Sequence, residues 1–251
     1  VKNTLAWLVG AILAVSFCYF FYIVISYDYH WARVAPYAGN LLSGWGVTVL
    51  ISVIALVCST LIAAGLTAAE LSSVSPAKWL ARTYVELVRG TPFLVQILIV
   101  VYMIAPSLKQ KFPGLDLDNK FGLGVLLLSG FAAAYLAEIF RGGIESIPKS
   151  QWDSARAIGM RESQIYRWVV VPQAIRRVLP ATAGQFANLI KDSSLLFVIG
   201  LHEMTMQARA INATTYTPFE SYLPLAIGYL ALTLPISLWS RRLEKRFRFE
   251  Q

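Results

Sequence analysis

Six long apolar runs dominate the chain and decide what it can become. A bilayer core of about 30 Å is crossed by about 20 mostly apolar residues in a helix. Runs on that scale, bounded by charge, Pro or Gly, lie at Leu5 to Ser26, Leu41 to Ala69, Phe93 to Leu108, Phe121 to Phe140, Ala181 to Leu201 and Leu223 to Ser240. In hydrocarbon the backbone polar groups of a lone segment are satisfied only within a helix, so each run is expected to be helical. Composition agrees: 57% hydrophobic against 14% charged residues, with a mean hydropathy of +0.57, is too apolar for a soluble domain of 251 residues. The expected fold class is an all-α membrane protein. The first run reads as a retained anchor, because its apolar stretch exceeds that of a leader and Tyr27-Asp28-Tyr29 after it offers no small-residue cleavage site.

Basic residues orient the spans. With six crossings both ends fall on one side, and that set of segments carries sixteen Lys and Arg, from Lys2 through the Arg141 to Arg177 stretch to Arg248. The opposite set carries five: Arg33, Lys109, Lys111, Lys120 and Arg209. The positive-inside rule then places both termini and the long basic loop in the cytoplasm of a bacterial cell, and it accounts for the net charge of +8 without nucleic acid. Cys18 and Cys58 lie inside apolar runs and are expected to be small buried hydrophobes rather than disulfide or metal ligands.

The most informative sequence lies between the fourth and fifth runs. Ser150 with Asp153 has the spacing of a capping box, opening a helix over Gln151 to Ile158 that Gly159 can end. A second helix is expected over Arg161 to Val171, ending at Pro172. Trp152, Ala155 and Ile158 recur at a spacing of three and are expected to share one face, with Asp153 and Arg156 beside it. Such a helix suits either a partner's groove or the lipid headgroups.

Asp153-Ser154-Ala155, Gly159 four residues on, and Val169-Val170-Val171-Pro172 together resemble the EAA loop of ATP-binding-cassette import permeases. Asp stands for the usual Glu and Ser for the first Ala. The resemblance extends to the polar-amino-acid branch of those permeases through Tyr84 to Gln96, Tyr135 to Gly143 and Lys191-Asp192-Ser193-Ser194-Leu195. It implies a five-helix permease domain over residues 41–251 with a coupling loop at about 144–180, preceded in residues 1–40 by one extra transmembrane helix and an external loop. It further implies that Gln151, Trp152, Asp153, Ala155, Arg156, Ile158, Gly159 and Arg161 dock an ATPase subunit. The implied partners are a cytoplasmic ATPase dimer carrying ATP-Mg, an external amino-acid-binding protein and a second permease protomer, same or homologous, in the bilayer. No cofactor is expected on this chain itself.

Ionisable residues inside a span cost about 2.5 to 3.5 kcal/mol each on insertion scales and need a partner or a purpose. Lys191 and Asp192, expected near the middle of the fifth span, are adjacent and so point about 100° apart. They either face a substrate cavity, as carboxylate and ammonium partners of an amino acid, or fix helix packing through Glu138, Glu86 or another protomer. Glu86 with Arg89 and Glu138 with Arg141 have the spacing of ion pairs near helix ends. Gly90 and Pro92 mark a break, and Gln96 just beyond it either meets substrate or bridges two helices.

Several chemistries lack their residues. There is no phosphate-loop motif, so ATP hydrolysis belongs to another subunit. His30 and His202 are isolated and lack metal-ligand spacing, and no Ser or Cys nucleophile has a recognisable activating neighbour, leaving no catalytic or metal residues to name. Two rival readings remain, a self-contained carrier or channel and a membrane-embedded enzyme. The loop's richness in Arg, Ala and Val disfavours the enzyme.

Overall fold

Small residues set the architecture. The computed structural model describes residues 2–114 and 117–246; Arg248, counted among the basic residues above, lies outside them. Helix α1 (Lys2–Ser26) is apolar all round and leads through α2 (Trp31–Val34) and a 3-10 turn into α3 (Ala38–Leu71). Along α3 the buried stripe includes Gly44, Thr48, Ser52, Ala55, Ser59, Ala63 and Thr67, while Leu42, Leu50, Val57 and Leu61 face outward. This inverts the pattern of a soluble helix. Lipid is as apolar as leucine, so association in membranes is driven by close backbone approach rather than by burying large side chains.

The partner of that stripe is α7 (Lys120–Glu145), where Ala132, Ala133, Ala134 and Ala137 are buried. Thr67 ties the two helices by donating to the Ala137 carbonyl at 3.2 Å. Around this pair pack α4 (Ser75–Gly90), α5 (Phe93–Ile99) with α6 (Ala105–Lys111), α10 (Val171–Asp192), α11 (Met204–Thr215) and α12 (Pro218–Arg246). The main core joins Ile51 of α3, Phe93 and Ile97 of α5, Leu128 and Phe131 of α7, and Leu196 just beyond α10.

Six helical segments correspond to the six apolar runs, α1 lying outside the five-helix core, with three departures. The helix after Pro92 runs from Phe93 to Lys111, longer than expected, because a π segment at Val100–Ile104 absorbs the register shift before Pro106. Pro172 does not end a helix: α9 (Glu162–Ile165) passes through a π segment, Tyr166–Val170, straight into α10. Proline lacks an N–H and is accepted in the first turn beyond such a defect, so the helix that carries the fifth apolar run begins at Val171, ten residues before Ala181. Finally, Lys191 and Asp192 are not in the middle of a continuous helix but are the last two residues of α10, which tightens into a 3-10 segment at Ser193–Ile199. Sequence periodicity also missed α11, whose N-terminus is capped by the buried Glu203.

The bundle has two distinct ends. At one, the C-termini of α3, α7 and α12 meet α4 and the N-terminal part of α10. At the other, Gly44 of α3 lies against Met204, and Lys120 reaches the Gly200 carbonyl at 3.4 Å. Tyr27 and the His30 amide converge there on the buried Glu220 of α12, Tyr27 at 3.4 Å.

Candidate functional site

Beyond α7 the chain folds into a small module with its own core. Helix α8 (Lys149–Ala157) begins after Pro148, and no side chain caps it, so the Ser150–Asp153 capping box does not form. Ala155 is buried with Ile147, Ile165 and Val170, and Trp152 packs on them, edge-on to Tyr166 with ring centroids 5.1 Å apart. Ile158 points away and is 78% exposed, so the expected shared face of Trp152, Ala155 and Ile158 splits. The first two hold the helix to the rest of the bundle, because this short helix needs an anchor of its own. The outer face is left to Gln151, Asp153, Arg156 and Ile158.

Gly159 closes α8 as expected, at φ +81°. Its N–H donates to the Arg156 carbonyl (2.9 Å) and that of Met160 to the Ala155 carbonyl (3.2 Å), the paired bonds of a Schellman motif, with Met160 packing back toward Ala155. Arg156 then straps the turn, donating from Nε to Glu162 at 2.9 Å and lying 3.4 Å from Asp153. The hydrogen bond it donates to Glu162 raises the pKa of this guanidinium. Arg161 is exposed, and its amide donates to the Gln164 side chain at 2.8 Å, opening α9.

The charged residues near the helix ends form one network rather than two local pairs. Arg89 turns to Glu138 at 3.1 Å instead of to Glu86. Glu138 also pairs with Arg141, as its spacing predicted, and Arg141 reaches Glu145 at 2.8 Å and Glu70 at 3.4 Å. Glu70 is buried at the end of α3 and was not legible as a site residue. Glu86 and Arg82 line the same polar cavity of about 330 Å³. At the nearby break Gln96 donates to the carbonyls of Val88 (2.8 Å) and Thr91 (3.1 Å), so it bridges α4 and α5.

A second polar cavity, about 390 Å³, is lined by Phe131, Tyr135, Gln185, Asn188, Lys191 and Asp192. Neither Lys191 nor Asp192 forms an ion pair with Glu86 or Glu138. Gln185 and Asn188 escaped notice in the sequence, although Gln185, Asn188 and Asp192 recur at helical spacing on one face. Aromatic walls with amide, ammonium and carboxylate groups can hold a small zwitterion. At the far end Glu203 is buried; burial raises its pKa, although the Thr205 and Met206 amides and the Tyr229 hydroxyl all donate to it.

Residues 61–249 match the family model described as "Binding-protein-dependent transport system inner membrane component". Among similar proteins, the probable glutamine ABC transporter permease protein GlnM of Bacillus subtilis is 36% identical, over 82% of this chain and 92% of its own. The glutamate/aspartate import permease protein GltK of Escherichia coli O6:H1 is 34% identical over 88% and 99%. The crystal structure of an amino acid ABC transporter with histidines superposes with a TM-score of 0.78 at 33% identity, covering 88% of this chain and all of that one. The MetNI methionine ABC transporter, at 17% identity and a TM-score of 0.68 over 84% and 98%, shares the fold.

Proposed function

The chain belongs to the family of binding-protein-dependent transport system inner membrane components, a transport subunit whose ATPase is separate, and we propose that its cargo is a polar amino acid delivered by an external binding protein. The names of its relatives and the zwitterion-sized cavity at Lys191 and Asp192 support this reading. Residues 41–251 act as the permease domain and residues 1–40 as an added anchor. Both termini and the loop at about 144–180 face the cytoplasm. Two protomers, identical or homologous, pair in the bilayer above two ATPase subunits that bind ATP-Mg.

One observation carries the coupling role: α8 is pinned to the permease through Trp152 and Ala155 yet leaves Gln151, Asp153, Arg156 and Ile158 uncovered. A helix rigidly fixed on one side and free on the other can transmit the closure of paired ATPases as a population shift of the spans. No covalent chemistry is required of this chain. Glu70, Glu138, Arg89 and Arg141 lock the same end of the bundle in the described arrangement, with Glu86 beside them.

The test is ATP hydrolysis by the reconstituted complex of this chain, its ATPase and its binding protein, with L-glutamine, L-glutamate and L-arginine added in turn. One amino acid is expected to stimulate hydrolysis with the native chain and to fail with Gly159→Pro. Proline fixes φ near −65°, which φ +81° forbids, and it removes the N–H that bonds Arg156. Transport by this chain without an ATPase would overturn the proposal.

A further inference from the structure

Away from α8 and from the polar cavities, α10 and α12 enclose a groove of about 510 Å³ lined by Arg176, Arg177, Pro180, Ala181, Gly184, Ser240 and Glu244. We propose that this groove binds the phosphate headgroup of an anionic phospholipid. The site rests on the bilayer placement of the family and not on the identity of the cargo.

Its depth follows from both helices. On α12 the exposed Leu238 and Trp239 give way to Arg241, Arg242, Lys245 and Arg246; on α10 Arg176 and Arg177 give way to Val178 and Leu179. The two apolar-to-basic boundaries lie side by side, because the Ser240 hydroxyl donates to the Pro180 carbonyl at 2.7 Å. Tryptophan next to such a boundary marks the headgroup level of a membrane. The groove therefore opens where phosphates lie.

Its chemistry is graded in the same direction as a lipid. Arg177 is held in place, donating to the Ser146 carbonyl at 2.6 Å and to the Ser146 hydroxyl at 3.1 Å at the end of α7. Arg176 is exposed and has no partner among the described residues, so it is free to meet a phosphate. Deeper in, Pro180, Ala181 and Gly184 leave an apolar floor of small residues on which an acyl chain can lie. Glu244 at the rim is the one acidic lining residue and is outnumbered by the arginines around it. Basic pockets between membrane helices at this level suit anionic headgroups.

The experiment uses the assembled complex in nanodiscs of phosphatidylcholine with a minor fraction of phosphatidylglycerol. It measures the motionally restricted fraction of each spin-labelled lipid. Phosphatidylglycerol is expected to be restricted in preference, and Arg176→Gln to cut that selectivity about fivefold, the contribution of one basic residue near a charged surface. Arg242→Gln, outside the groove on the same helix end, is expected to leave it nearly intact. Equal loss in both variants, or no selectivity at all, would overturn the site. Complete displacement by inorganic phosphate would assign the groove to a soluble anion instead. Loss of amino-acid stimulation bears on none of these outcomes.

Discussion

Arg141 is the residue on which most of the ordering at one end of the bundle converges. It meets Glu70, Glu138 and Glu145 from α3 and α7, and Glu70 is only 4% exposed. Removing the cation would leave the buried Glu70 carboxylate with only Arg82, across the same cavity, to offset its charge. Arg141→Gln is expected to lower stability by about 2 kcal/mol, below the 3–5 of a fully buried pair because Glu138 and Glu145 still touch solvent. A thermal-shift measurement on the purified complex checks it, and Glu70→Gln in the same chain should recover part of the loss. Local sequence disclosed the Glu138–Arg141 pair because the two stand one helical turn apart. It did not disclose Glu70, which reaches Arg141 only through the packing of α3 on α7. Gly159 was legible for the opposite reason: a left-handed helix end is a demand of the local backbone.

Helices were legible where apolar runs are long, since the bilayer length and the need to satisfy backbone groups leave little choice. Their junctions were not. Continuity through Pro172 depends on a π segment before it, a defect with no residue signature of its own, and the facing of α8 depends on Ile147 and Ile165, which flank it in the chain. The crossing of α7 and α10 is a further case. A methyl group on Gly143 would lie 2.1 Å from Val178 Cγ1, so the two helices touch through the absence of a side chain. Val178 is branched at Cβ and stiff, and it cannot withdraw as an unbranched side chain would. Gly143→Ala is therefore expected to cost about 1–3 kcal/mol by overpacking, and Val178→Ala in the same chain to restore most of it. Denaturation midpoints of the single and double variants decide the matter; independent, additive losses would show that the helices do not meet there.

At the scale of the whole molecule the two ends differ in charge, and that difference fixes how the chain should sit. The end built from α4, α8, α9 and the termini of α7 and α12 gathers most of the Lys and Arg, whereas the end holding α2 and α11 carries few. The positive-inside rule turns this asymmetry into an orientation. Two exposed residues report on the two ends: Ile158 is 78% exposed after α8, and Tyr216 is 84% exposed after α11. With Cys18 and Cys58 first changed to Ser, a single Tyr216→Cys chain in intact cells should react with a membrane-impermeant maleimide. Ile158→Cys should react only once the membrane is opened. Tyr216 has a left-handed backbone at φ 54°, which cysteine shares without added cost, so neither change should disturb the fold. The reverse labelling pattern would place α8 outside the cell, where no ATPase could reach it, and the coupling role of Gly159 and Arg156 would fall with the orientation.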